Sequence, residues 1–252
     1  MEILGCRLDP IDETEAAARI VQLAREGAGA QVVTLGTEMV VHAQRDERFR
    51  AIVNASALSL CDTVGLLTVA RRRGAELGER VTGVELTGDL CARAAREGLP
   101  VYFLGGAPGV AADAAAILEV QHPGLQIAGA RDGYFRDEEA PEVAAAIRGS
   151  GAKLLFVGMG FPRQEYFLAD YVRESGCGAG IGVGGSFDVI SGRVDRAPPL
   201  FRKFGLEWLY RLIKEPQRWR RQLALPYFVW LVGLEEIGLR KSARASAASG
   251  GG

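Results

Sequence analysis

Six short apolar segments recur along the chain: Gln31–Thr34, Leu58–Cys61, Pro100–Leu104, Gln126–Ala130, Lys153–Val157 and Ala179–Val183. Each is too short for a stable helix and apolar at consecutive positions, the pattern of a strand covered on both faces. Stretches of helical character lie between them. Thr37–Asn54 has apolar residues at helical spacing and predicts one helix. Thr82-Gly-Val-Glu85 has the form of a capping box opening a helix that runs to about Arg96. Pro108–Val120 and Glu138–Arg148 are alanine-rich, with Gly149 and Gly151 as stops, and Gln164–Glu174 closes the series. Alternation of this kind predicts an α/β fold, a mostly parallel sheet with helices on both faces.

Polar and glycine residues gather just after these strands. The segments are Thr34-Leu-Gly-Thr37, Asp62-Thr-Val-Gly65, Gly105-Gly-Ala-Pro-Gly109, Arg131-Asp-Gly-Tyr-Phe135, Gly158-Met-Gly-Phe-Pro-Arg-Gln-Glu165 and Gly182-Val-Gly-Gly-Ser-Phe-Asp188. In a parallel sheet all six lie at the carboxyl edge, where open α/β folds bind ligands. Gly105-Gly-Ala-Pro-Gly109 fails the dinucleotide fingerprint, because Leu104 stands where its first glycine belongs, and no P-loop Lys-Ser/Thr follows. Gly184 and Gly185, ahead of a short helix containing Asp188, read as an anion cradle or, equally, as a tight turn. Asp62, flanked by apolar residues at a strand end, reads as a base with a raised pKa or as a helix N-cap. Gln164 and Glu165 open a helix, where an acidic residue also suits the helix dipole. Tyr134 sits in a turn, with stacking on a ligand as its sharper reading. His42 and His122 read as structural or solvated.

Composition narrows the function classes. With 30 basic and 31 acidic residues, the chain has a net charge of −1, which argues against a nucleic-acid partner. Its four cysteines include no CxxC pair and there are two histidines, a poor kit for zinc; buried, reduced thiols are expected. The start of the chain carries no secretory signal pattern, and the longest run free of charged residues, Gly98–Ala112, is too short to span a bilayer.

The average conceals a split. Residues 1–192 hold 18 basic and 26 acidic residues, whereas residues 193–252 hold 12 and 5, together with all three tryptophans. Aromatic residues at helical spacing from Phe201, with basic residues as far as Arg221, suit an anionic membrane surface or, alternatively, a helix pair packed on the core with tryptophan inside it. The expected organisation is a catalytic domain over residues 1–196, a membrane-docking helical appendage over 197–241 and a low-complexity tail over 242–252.

The motifs Asp132–Phe135 (DGYF), Val157–Glu165 (VGMGFPRQE), Gly182–Pro199 (GVGGSFDVISGRVDRAPP) and Gly205–Arg221 (GLEWLYRLIKEPQRWRR) together resemble the WecG/TagA/CpsF family of glycosyltransferases, from about Ile3 to Leu223. The resemblance implies a Rossmann-like fold and inverting transfer of a sugar, N-acetylmannosamine, its uronic acid or a related hexose. The donor would be a UDP-sugar and the acceptor a polyprenyl-diphosphate-linked sugar, at the inner face of a bacterial membrane during surface polysaccharide synthesis. Carried over by position, Asp62 matches the general base, and Thr34, Arg80 and Gln164 match polar residues around the reacting sugar. Arg211, Arg218 and Arg221 match appendage arginines facing the UDP diphosphate, so that no cofactor or metal is implied. Tyr134, Glu165, Gly184, Gly185 and Asp188, within the shared motifs, and Glu85 join the expected substrate-binding set.

The chain departs from the family pattern at Leu35-Gly36 (usually Pro-Asn), Thr63 (usually Gly) and Glu85 (often Asp), all around the expected sugar site. The change at Gly36 lends support to a rival reading, a non-catalytic sugar-nucleotide or glycolipid sensor on the same fold. An NAD-binding enzyme is a second rival, opposed by Leu104.

Overall fold

A computed structural model describes residues 1–198, 201, 210, 212 and 224–238. A small antiparallel hairpin, β1 (Glu2–Ile3) and β2 (Cys6–Arg7), opens the chain. Six strands then form one all-parallel sheet: β3 (Ala30–Leu35), β4 (Leu58–Cys61), β5 (Val101–Gly105), β6 (Ile127–Arg131), β7 (Leu154–Gly158) and β8 (Ala179–Gly182). Each lies within one residue of the span expected from sequence. Their spatial order is β4-β3-β8-β7-β5-β6. The chain therefore builds one half outward from β3 to β4, crosses to build β5 and β6, and fills the middle with β7 and β8. This is a Rossmann-like α/β sheet.

The period of two along the strands sorts side chains between two helical layers. Val101 and Phe103 of β5, with Leu154 and Phe156 of β7, enter a core with α1 (Glu13–Glu26), α5 (Gly83–Glu97), α6 (Val110–Gln121) and α9 (Ser186–Ile190). Tyr102 and Leu104 of β5, with Leu155 and Val157 of β7, face the other way, toward α7 (Ala140–Ser150) and α8 (Arg163–Tyr171). At the opposite end of that second layer, Val33 and Leu35 of β3 pack with α2 (Thr37–His42), α3 (Glu47–Ala55) and α4 (Val64–Arg72). The central strands β5, β7 and β8 are buried at every position, which explains their lack of charged residues.

The one helix expected over Thr37–Asn54 is in fact two. The Asp46 carboxylate accepts the Phe49 amide at 2.9 Å and caps α3. An aspartate that satisfies the first turn of a new helix competes with continuation of the old one. The break lets α2 bury Met39 and Val40 and α3 bury Phe49 and Val53 along separate axes. The β1–β2 hairpin and α1 went unanticipated: two-residue strands carry no periodicity, and α1 buries three alanines, Ala16, Ala17 and Ala24, that barely register as apolar. The Thr82 cap is present. Its hydroxyl accepts from the Glu85 amide at 3.3 Å and donates to the Glu85 carboxylate at 2.8 Å. Gly151, at φ 75°, ends α7.

A last described helix, α10 (Ala224–Glu236), lies on α2 and buries Phe228, Leu231 and Val232 in the same cluster as Phe49 and Leu66. Arg73 pairs with Glu235 at 2.6 Å and fastens its end to α4. Val229 and Trp230 remain exposed on its outer side. No helix among the described residues is long and apolar enough to cross a membrane. All four cysteines are buried and unbridged, as expected. Burial pushes the Cys6, Cys61 and Cys91 thiols up to about 12, so none supplies a thiolate at neutral pH.

Candidate active site

The carboxyl ends of all six parallel strands open into one cleft of about 910 Å³. Thr34 and Gly36 enter it at the end of β3, Asp62 after β4, Gly106 after β5, Gly133 and Tyr134 after β6, Gly158 to Phe161 with Arg163 and Gln164 at and after the end of β7, and Val183 to Ser186 with Asp188 after β8. Of the residues singled out from sequence, Thr34, Asp62, Arg80, Tyr134, Gln164, Gly184, Gly185 and Asp188 line this space together.

Asp62 is held by its backbone. Its amide donates to the Leu35 carbonyl at 3.1 Å, and its carbonyl accepts from Arg80 Nη1 at 3.4 Å. Val81 N donates to Cys61 O at 2.7 Å and pins the returning Arg80 segment against the strand end. The N-cap reading of Asp62 does not hold, because Thr63 occupies the cap position of α4. The residue is half-buried and lines the cleft wall. Thr34 is 7% exposed and donates its hydroxyl to the Gly182 carbonyl at 2.7 Å, tying the edge of β3 to β8 at the cleft floor.

The β8 end is shaped by Gln164. Its Oε1 accepts the Gly184 amide at 3.0 Å and its Nε2 donates to Glu165 Oε1 at 2.8 Å. Gly184 takes φ 55°, and the Ser186 hydroxyl turns back to the Val183 carbonyl at 2.6 Å, so this turn is closed by its own side chains. Glu165 does not line the cleft; it lies wholly buried behind Gln164. Burial pushes its carboxyl up to about 7, against the lowering bond from Gln164. A folded-state pKa above the unfolded value means the native state holds the extra proton. Stability from this group is full below about pH 4.5 and declines as pH rises to about 7, by up to about 3 kcal/mol. The expected outcome is that Glu165→Gln flattens the decline between pH 5 and 7.5 in urea melts; an unaltered slope would assign it elsewhere. Glu13 contributes in the same direction. Burial first, then the nearby Glu85, Asp89 and Glu79, push it to about 7.

Sequence reasoning passed over two arginines. Arg163, the first residue of α8, donates to the carbonyls of Gly133 and Phe135 and lies 4.6 Å above the Phe135 ring. It thereby clamps the Asp132–Phe135 turn, in which Asp132 Oδ1 accepts the Tyr134 amide at 2.9 Å. The clamp leaves Tyr134 76% exposed at the cleft. Arg196 reaches the cleft from beyond α9 and pairs with Glu85 at 2.5 Å. Glu85 itself stays off the cleft lining. Burial raises the Glu85 carboxyl, but bonds from Thr82 and Arg196 outweigh it and hold it below the usual range. The signal for both arginines was their place inside the long motifs; their partners are distant in sequence, which hid their roles.

The Arg196–Glu85 pair is well exposed on both sides. Such pairs contribute roughly 0–1 kcal/mol. Arg196→Ala is therefore expected to leave the melting temperature within about 2 °C while weakening anion binding in the cleft several-fold. A large stability loss with unchanged binding would reverse that assignment.

Among the described residues no three His, Cys, Asp or Glu side chains gather as metal ligands. His42 packs edge-on against Phe49 and Phe161, at 5.0 and 5.3 Å between ring centres. Arg211, Arg218 and Arg221 lie outside the described residues.

Residues 1–242 match the glycosyl transferase WecG/TagA/CpsF family. Over 207 residues the chain is 37% identical to an N-acetylglucosaminyldiphosphoundecaprenol N-acetyl-beta-D-mannosaminyltransferase of Bacillus spizizenii, covering 82% of this chain and 80% of that protein. With a match spanning sheet, cleft and the helix packed on α2, the chain belongs to the WecG/TagA/CpsF family of glycosyltransferases.

Proposed function

We propose that this glycosyltransferase moves a hexose, N-acetylmannosamine or a close relative, from a UDP donor to a polyprenyl-diphosphate-linked sugar, with inversion at the anomeric carbon. The observation that carries the reading is the convergence of Asp62, Thr34, Arg80 and the Gly184 turn on one cleft at the carboxyl edge of the sheet. The relative from Bacillus supports the acceptor, since its name specifies an undecaprenyl-diphosphate-linked N-acetylglucosamine.

In this reading the acceptor hydroxyl oxygen attacks the anomeric carbon as the bond from that carbon to the UDP oxygen breaks. Asp62 takes the hydroxyl proton. UDP departs with the bonding electron pair, and arginines neutralise its charge as bidentate donors, without a metal. Arg211, Arg218 and Arg221 are assigned that role by their match to the family motif. The appendage, residues 197–241, would rest on the inner membrane face, with the exposed Val229 and Trp230 of α10 and the basic surplus of the last 60 residues as its contacts.

Neutralising Arg218 and Arg221 together is expected to weaken both UDP binding and binding to anionic liposomes by about tenfold or more. Unchanged affinity for both would remove the appendage from the model. The deciding test is UDP release from a panel of UDP-sugars, with a short-chain polyprenyl-diphosphate N-acetylglucosamine analogue in detergent and no added metal. Release that requires both acceptor and Asp62 identifies the transferase and its donor. UDP binding with no release across a wide acceptor panel would favour the sensor.

A further inference from the structure

The Gly184 amide can only donate, so the Gln164 atom facing it must be the side-chain oxygen. That leaves the Gln164 NH₂ pointing inward, where burial makes an unmatched donor costly. Glu165 Oε1 is the acceptor that meets it. Space for this arrangement exists because residue 182 is glycine: a Cβ there would stand 2.6 Å from Gln164 Nε2 and 3.1 Å from Glu165 Oε1. The Glu165 backbone is fixed in turn, its carbonyl accepting from Gln31 Nε2 at 3.1 Å. Meanwhile Glu165 Oε2 is fully buried with no hydrogen-bond partner. A carboxyl placed this way does not serve stability through its own bonds, since half of it is unsatisfied. Besides a bond from its own backbone amide, its side-chain partner is the Gln164 amide, which it orients.

We propose that Glu165 is a positioning residue: it locks the Gln164 amide in the orientation that holds the Gly184–Gly185 turn, and so sets the shape of the cleft floor against which the donor nucleotide binds. The inference rests on the transferase reading for its ligand, but not for its geometry. Around the carboxyl, α2 sends Glu38 toward it and Tyr166 adjoins it on α8. From α3, Asp46 and Arg48 engage Tyr166 and Asp170 instead, while β3 and β8 offer only the neutral Gln31 and Gly182. A neutral acid accepts the Gln164 donor without placing a charge beneath the turn. Glutamine at 165 keeps an acceptor oxygen, whereas leucine keeps the volume and removes the acceptor.

The test compares the wild type, Glu165→Leu and Glu165→Gln by amide exchange at Gly184 and by UDP affinity. In Glu165→Leu, exchange at Gly184 is expected to quicken about tenfold and UDP affinity to fall by a similar factor, the scale of one lost hydrogen bond. Glu165→Gln should recover most of both. Gly184 exchange unchanged in Glu165→Leu overturns the proposal, as does loss of protection that glutamine fails to rescue. Exchange needs no ligand: if it responds while the wild type binds no UDP, the nucleotide reading fails and the positioning role stands. Should Glu165→Leu not fold, the wild type alone decides against Glu165→Gln. Protection of Gly184, corrected for intrinsic rate, is expected to change across about pH 7 in the wild type, as the acceptor ionises, and to stay level in Glu165→Gln. Parallel profiles would overturn the proposal.

Discussion

Replacing Asp62 with asparagine will lower turnover by about a thousandfold and leave UDP affinity within about threefold of the wild type. The separation follows from how the residue is held. Asp62 is anchored through its own backbone to Leu35 and Arg80. Asparagine has nearly the same shape, so the β4 edge and the Arg80 segment stay in place. What is lost is the proton acceptor beside the attacking hydroxyl, and general-base contributions of this kind are worth about 10²–10⁴-fold. Steady-state UDP release and calorimetric UDP titration on the same preparation check it. Turnover within tenfold of the wild type would mean that another group takes the proton.

Gly105→Ala is expected to destabilise the fold by about 4 kcal/mol, a drop of roughly 10 °C in melting temperature for a chain of this size. Gly105 ends β5 at φ 141°, a conformation that side-chain-bearing residues avoid. A Cβ there would stand 2.4 Å from both the carbonyl carbon and the oxygen of Gly158, backbone atoms of the neighbouring strand that cannot step aside. Strain and overlap act together. The close approach has a purpose: Gly106 N donates to Gly158 O at 2.9 Å, and Gly133 N donates to Gly106 O at 3.0 Å, so three strand-end loops are linked at the cleft floor. Thermal melts of the variant test the magnitude, and a loss below about 1 kcal/mol would show that the two loops can part without cost.

Much of this could be read from the chain alone. Both-face burial writes itself into sequence as short, continuously apolar runs, which is how the central strands were recognisable, whereas β6, at the sheet edge, is only partly covered. Strand ends in a parallel sheet must share one edge, so Thr34, Asp62, Gln164 and the Gly184–Gly185 pair could be placed in one region before their geometry was known. Asp46 was less legible. Its carboxylate reads as an ordinary exposed position until the Phe49 amide is seen to need a cap. Arg163 and Arg196 were hidden for a related reason. Their partners, Gly133, Phe135 and Glu85, lie from 28 to 111 residues away in sequence, and no local pattern reports a contact of that kind.

The sequence by itself determined the fold class, the edge that carries the cleft and the family. These follow from local periodicity, from the one-way geometry of parallel strands and from motifs whose order survives as text. Only the tertiary structure decided the strand order, with β8 placed between β3 and β7, because pairing depends on which apolar faces meet and not on their succession along the chain. It also decided which polar residues face the cleft. Gln164 and Glu165 are neighbours in sequence, yet one lines the cleft and the other is sealed behind it, because a helix turns about 100° per residue and the sheet covers one side only.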